Sequence, residues 1–113
     1  MKLPIIALLA VTLSLGACAS LIQTASISEA YKHYQREQYD RTLELITQAE
    51  NAEAMSDETK AELTYLKAMT YEGLGDGETA NTLYEYLAQE HSNSQYGYMA
   101  IQFLANIYPR LFR

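Results

Sequence analysis

Few residues in this chain could make or break a covalent bond. There is one cysteine, Cys18, and there are two histidines, His33 and His91. A lone cysteine cannot close an internal disulfide. One Cys and two scattered His also fall short of the roughly four ligands of a zinc site. Catalysis requires a nucleophile, base or metal held in mutual reach; Ser, His and Asp occur here, but in no spacing that supplies it. His33 is expected to pack between helices, and His91 to sit in a solvated loop. Glu50, Glu53, Asp57 and Glu58 are acidic neighbours that read as a solvated face rather than a cation site. Gly73-Leu74-Gly75-Asp76-Gly77 lacks the Lys-Ser/Thr of a phosphate loop and reads as a helix-to-helix turn. The expectation is a chain that is not an enzyme, with no metal and no bound cofactor.

The elements that would carry these residues are helical. The 113 residues suffice for one small domain, and 49% of them are hydrophobic. Two Pro and five Gly leave little material for a turn-rich sheet. The formal net charge of -6 gives no attraction to a phosphate backbone, so nucleic acid is not an expected partner. Ser26-Ile27-Ser28-Glu29 has the spacing of a capping box, and Ile27, Ala30, Tyr31 and Tyr34 follow at helical intervals. Gln38-Tyr39-Asp40 suits a turn, with Asp40 a candidate N-cap. Leu43, Ile46 and Ala49 line a second helix. Ser56 can cap a third, which buries Ala61, Tyr65, Ala68, Met69 and Tyr71. A fourth carries Ala80, Leu83, Tyr84 and Leu87. His91-Ser92-Asn93-Ser94 breaks the chain again, and a fifth helix carries Tyr96, Ala100, Phe103, Leu104 and Ile107 before Pro109 ends it. Short connections make sequential helices antiparallel neighbours.

The N-terminal residues carry an address. Lys2, an apolar run from Ile5 to Leu15 and the small residues Gly16 and Ala17 follow the order of a secretory signal. Leu15-Gly16-Ala17-Cys18 resembles the lipobox of bacterial lipoproteins, with an aliphatic residue at -3 and small residues at -2 and -1. The resemblance implies that the Cys18 thiol receives a diacylglycerol and that the chain is cut between Ala17 and Cys18. The covalent lipid would hold the protein on a membrane, since two acyl chains suffice for stable attachment. Ala19 and Ser20 stand where Asp would retain such a protein in the inner membrane. By resemblance this favours the outer membrane, with the domain facing the periplasm. The competing readings are an uncleaved spanning helix over residues 3–22 and an ordinary buried thiol at Cys18.

The mature chain shows an internal repeat. Ala30-x-x-His33 aligns with Ala68-x-x-Tyr71, and Thr42, Ile46 and Ala49 align with Ala80, Tyr84 and Leu87, always at a shift of 38 residues. Tyr65 to Ala80, with a small residue, a Tyr three later, Gly-Asp at the turn and Ala opening the next helix, resembles a tetratricopeptide repeat. His33 and Thr42 depart from that pattern in the first unit, as do Thr64, Lys67 and Ser92 in the second. The 38-residue spacing is expected to lengthen the connection around Asn51–Ser56. The expected architecture is all-α: antiparallel helix pairs, about two tetratricopeptide-like units, and a C-terminal capping helix. The expected boundaries are a signal peptide over 1–17, a lipidated tether over 18–25, the helical domain over 26–108 and a tail over 109–113.

Ten tyrosines complete the picture. By resemblance, a concave face formed by the first helix of each unit would take extended peptides. That places Ile27, Tyr31, Tyr34, Glu62, Tyr65 and Met69 near a candidate groove, though each could equally pack against a neighbouring helix. The expected function is a membrane-anchored adaptor that binds an envelope protein as an accessory of an assembly, pilus or secretion complex. The alternative is a lipoprotein that binds cell wall or a small ligand.

Overall fold

The computed structural model describes residues 21–52 and 54–111. The expectations for the signal peptide, for cleavage after Ala17, for lipid on Cys18 and for Glu53 lie outside the described residues. Helix α1 covers residues 21–35, followed by α2 (Tyr39–Ala52), α3 (Asp57–Gly73), α4 (Gly77–Glu90) and α5 (Gln95–Ile107). No strand occurs among the described residues, and the fold is all-α. Each helix from α2 to α5 packs on the next in sequence, and α3 also touches α5. No described helix is long and apolar enough to cross a membrane.

The 38-residue period is geometric as well as textual. Helices α2 and α4 both run 14 residues, from Tyr39 and Gly77, and α3 and α5 start at Asp57 and Gln95. Among the described residues, positive φ angles fall at Glu37 (58°) and Gly75 (83°), the same distance apart. The inward residues correspond too: Thr42, Ile46 and Ala49 on α2, and Ala80, Tyr84 and Leu87 on α4. Small residues make the crossings. Ala30, Ala61, Ala68, Ala80 and Ala100 are fully buried, which lets backbones approach and leaves room for Tyr84, Leu63, Leu66 and Ile46 between them.

The helix ends follow local chemistry. Ser56 Oγ accepts from the Thr59 N–H at 3.1 Å, and Asp76 Oδ1 accepts from the Thr79 N–H at 3.1 Å. Ser94 Oγ accepts from the Gly97 N–H at 2.9 Å. Each bond satisfies a free donor in a first helical turn. Helix α5 stops at Ile107, two residues before Pro109. Gly97 is required by close approach: a Cβ there would collide with the carbonyl of His91.

Five expectations need correction. The capping box does not open the first helix, because residues 21–25 are already helical. The Gln23 carboxamide is buried and donates to the Ala49 carbonyl at 3.0 Å, and Ser26 is buried too, so the expected tether is partly folded onto α2. The first turn is Arg36-Glu37-Gln38 and not Gln38-Tyr39-Asp40. Glu37 takes the left-handed conformation, Tyr39 opens α2, and Asp40 lies inside the helix instead of capping it. The spacing of the repeat is not a longer connection, since Ala52 to Asp57 matches Glu90 to Gln95; α3 is instead 17 residues long, against 14 for α4. His91 is not a solvated loop residue. It ends α4 half-buried, with Nε2 buried and without a hydrogen-bond partner and its ring 5.4 Å from that of Tyr86.

Candidate functional site

The six candidate residues sit on the first helices of the two pairs: Ile27, Tyr31 and Tyr34 on α1, and Glu62, Tyr65 and Met69 on α3. All six are half-buried, neither sealed in the core nor free in solvent. Their helical spacing explains this. Intervals of three, four and seven residues put side chains on one flank of a helix, beside the stripe that enters the core.

Two links join the helices across this flank. The Tyr31 hydroxyl donates to Glu62 Oε1 at 3.0 Å, from α1 to α3. Met69 packs against both core clusters, one centred on Ile46 and Leu66, the other on Tyr84 and Leu87. Tyr34 and Ile27 pack against the first cluster only, and Tyr65 against the second. Tyr34 also meets Tyr39, at a centroid distance of 5.7 Å.

From Tyr65 a chain of rings continues into the C-terminal part of the fold. Tyr65 lies 5.8 Å from Tyr96 of α5 and 5.7 Å from Tyr84 of α4, the latter edge-on. Tyr84 in turn lies 4.2 Å from Phe103 of α5, and its hydroxyl donates to Glu72 Oε2 at 2.6 Å. Such aromatic pairs add about 0.5–1.5 kcal/mol each beyond the area they bury. Glu72, Tyr96 and Phe103 were absent from the sequence-based set. Their signal was present: Glu72 is seven residues from Tyr65, and Phe103 seven from Tyr96, so each pair shares a helix face.

The electrostatics of this surface favour neutral hydroxyls. Burial, followed by the charge of Glu62, raises the Tyr31 pKa well above the ordinary phenol value. Burial and then the hydrogen bond to Glu72 do the same for Tyr84. Burial is also the first cause of the upward shifts at Tyr34, Tyr65 and Tyr96. These side chains are hydrogen-bond donors on apolar rings, suited to contact and orientation rather than proton removal.

Two cavities lie elsewhere. One, of about 450 Å³, is lined by Asp57, Glu58, Lys60, Tyr86, Glu90 and His91 among others. The second, of about 530 Å³, lies around His33, Gln38, Tyr39 and Leu74. Neither is lined by any of the six candidates. His33 does not insert between helices; its ring meets the Gln38 carboxamide across the first turn. The acidic neighbourhood is also divided. Glu50 pairs with Lys67 at 2.8 Å across α2 and α3, whereas Asp57 and Glu58 line the first cavity. The described residues hold no group of three or more His, Cys, Asp or Glu that could bind a metal ion.

No protein-family model, curated protein or solved structure matches this chain. The functional reading therefore rests on the residues and on their arrangement.

Proposed function

We propose that this chain is a lipoprotein, cleaved after Ala17 and anchored through lipid on Cys18, that holds a small tetratricopeptide-like domain at the outer membrane facing the periplasm. It acts there as a non-enzymatic adaptor, binding an envelope protein as an accessory of an assembly, pilus or secretion complex. The observation that carries the binding part is the half-buried flank formed by Tyr31, Tyr34, Glu62, Tyr65 and Met69, extended to α5 by Tyr96. Rigid aromatic side chains lose little entropy on binding, and their hydroxyls can donate to the carbonyls of an extended peptide. The lipobox residues support the anchor.

Affinity capture from the native envelope, with the anchor intact, tests the reading. Envelope proteins should be recovered by the wild-type chain and lost with Tyr31→Ala/Tyr65→Ala. Recovery of lipid and processing enzymes alone would count against it. The polar cavity beside His91 favours a second reading, in which a small polar ligand or cell-wall fragment is the cargo. Binding to purified peptidoglycan without added protein would support that alternative.

A further inference from the structure

The tyrosine flank carries charge of one sign. On α3, Glu58, Glu62, Tyr65, Met69 and Glu72 follow one another at intervals of four, three, four and three, so they form a single stripe along the helix. The middle three are half-buried, and Glu58 and Glu72 are exposed at the ends. Tyr31 of α1 is tied to this stripe by its hydrogen bond to Glu62, and Tyr96 of α5 by its ring contact with Tyr65. The carboxylates also reach the tyrosines through space. Burial is the first cause that raises the pKa of each flank tyrosine; the carboxylate that adds to it is Glu62 at Tyr31, Glu72 at Tyr34 and Tyr65, and Glu62 with Glu58 at Tyr96.

Among the described residues no cation answers these carboxylates. The ion pairs there join Lys32 to Glu29, Arg41 to Glu44 and Lys67 to Glu50. Lys60, the other cation of α3, lines the cavity beside His91, where Glu58 also reaches, and α5 has no charged residue. Glu62 and Glu72 are engaged by hydroxyls, each through one oxygen: Oε1 of Glu62 accepts from Tyr31, and Oε2 of Glu72 from Tyr84. A neutral donor leaves the charge in place. An acidic segment laid on this stripe would oppose like charges, and a wholly apolar one would strip water from Glu62 without replacing it. A guanidinium or ammonium does neither. It pairs with a carboxylate and can rest on a tyrosine face.

Resting on the reading of this flank as a binding surface, we propose that its occupant is an extended segment of a partner protein with two basic side chains, Arg above all, one for Glu62 and one for Glu72. These two glutamates are ten positions apart on α3, which is about 15 Å along the helix. An extended chain running along α3 covers that distance in about four or five residues, which sets the spacing of the two cations. The residues between them meet Tyr65 and Met69, where small or apolar side chains fit.

Selection from a library of randomised ten-residue peptides by the purified full-length chain tests it, followed by affinities of the selected peptides from fluorescence anisotropy. Binding at the flank is binding lost in Tyr31→Ala/Tyr65→Ala, with Tyr31→Leu/Tyr65→Leu in its place where circular dichroism shows the Ala variant unfolded. Among those peptides Arg and Lys should be enriched in pairs four or five positions apart, and replacing the pair by Gln should weaken binding at least about tenfold. Glu62→Gln/Glu72→Gln should weaken it as much, since Gln keeps an acceptor for each tyrosine hydroxyl and removes the charge. Glu78→Gln/Glu85→Gln removes two charges from exposed positions of α4 and should change the affinity less than about twofold, which separates local pairing from the general pull of an acidic chain. Peptides that bind through the two tyrosines but are neutral or acidic, or that are indifferent to Glu62→Gln/Glu72→Gln, would overturn the basic occupant and leave the flank as a binding surface. Recovery of no tyrosine-dependent peptide would overturn both.

Discussion

Tyr84 is the largest fully buried side chain among the described residues, and its two functions can be separated by substitution. The ring lies between Tyr65 at 5.7 Å and Phe103 at 4.2 Å, and the hydroxyl donates to Glu72 at 2.6 Å. Tyr84→Phe keeps the ring and removes the bond. A hydrogen bond to a charged acceptor contributes about 1.5–3 kcal/mol. Glu72 is exposed and regains water when the hydroxyl is lost, so the expected cost lies near the lower end, at about 1–1.5 kcal/mol. Tyr84→Ala also removes the ring and leaves a cavity where α3, α4 and α5 meet, at a cost of about 3–5 kcal/mol. That is a large part of the roughly 5–15 kcal/mol available to a small domain. Urea unfolding followed by circular dichroism measures both. With a slope of about 1–2 kcal/mol per molar, Tyr84→Phe should lower the midpoint by about 1 M, and Tyr84→Ala by at least twice that, with the slope of the Phe variant unchanged. If the two variants lose the same stability, the hydroxyl and not the ring organises this region. If Tyr84→Ala loses less than about 1 kcal/mol, the packing argument fails.

Stability should fall above about pH 10. The folded pKa values of Tyr31 and Tyr84 are raised from 10.0, first by burial, so their contribution is complete below the unfolded value and is lost as pH rises through the folded one. The slope reaches at most about 1.4 kcal/mol per pH unit per tyrosine, it should flatten in Tyr84→Phe, and constant unfolding free energy from pH 10 to 12 would contradict it. Gly97→Ala should cost at least about 1–3 kcal/mol, because the new Cβ meets the His91 carbonyl and lies 3.1 Å from that of Leu87; an unchanged melting temperature would show that α5 can move away. Cys18→Ser should release the chain from membranes and leave the precursor uncleaved, and mass spectrometry that finds no acyl group on native Cys18 would remove the anchor from the proposal.

Much of the fold was legible because the breaks are chemical. Ser56, the Gly73–Gly77 cluster and Pro109 each interrupt a helix for reasons that lie within a few residues. The 38-residue shift was readable because small and large residues alternate at matching positions of two helix pairs. What was missed depends on distant partners. Nothing near Gln23 shows that its amide is buried against Ala49, 26 residues later, so a small uncharged stretch read as a tether. Glu37 adopts a positive φ without being glycine; its turn was drawn two residues late because Gly75 marks the equivalent turn in the second pair and Glu37 marks nothing. His91 read as a loop residue for the same reason, since the contact that fixes it comes from Gly97, in the next helix. The site followed suit: the six candidates were found from their repeat positions, whereas Tyr96 and Glu72 join them only through pairings that the helix packing creates.

The earlier start of α1 changes what the proposed anchor would do. A flexible tether over residues 18–25 would let the domain turn freely above a bilayer. With residues 21–25 helical and Gln23 bound to α2, at most three peptide units separate Cys18 from the folded part. Those units span no more than about 11 Å, whatever their conformation. Leu21 and Ile22, exposed to 68% and 56%, would then lie at the lipid surface, where exposed apolar side chains are an asset rather than a liability. The anchored end of the domain would thus be fixed, while the tyrosine flank lies further along the stack of helices. On a membrane, copies are confined to a thin layer, and confinement raises their effective concentration without any new contact. A low-affinity tyrosine flank could then suffice to hold a partner confined to the same layer.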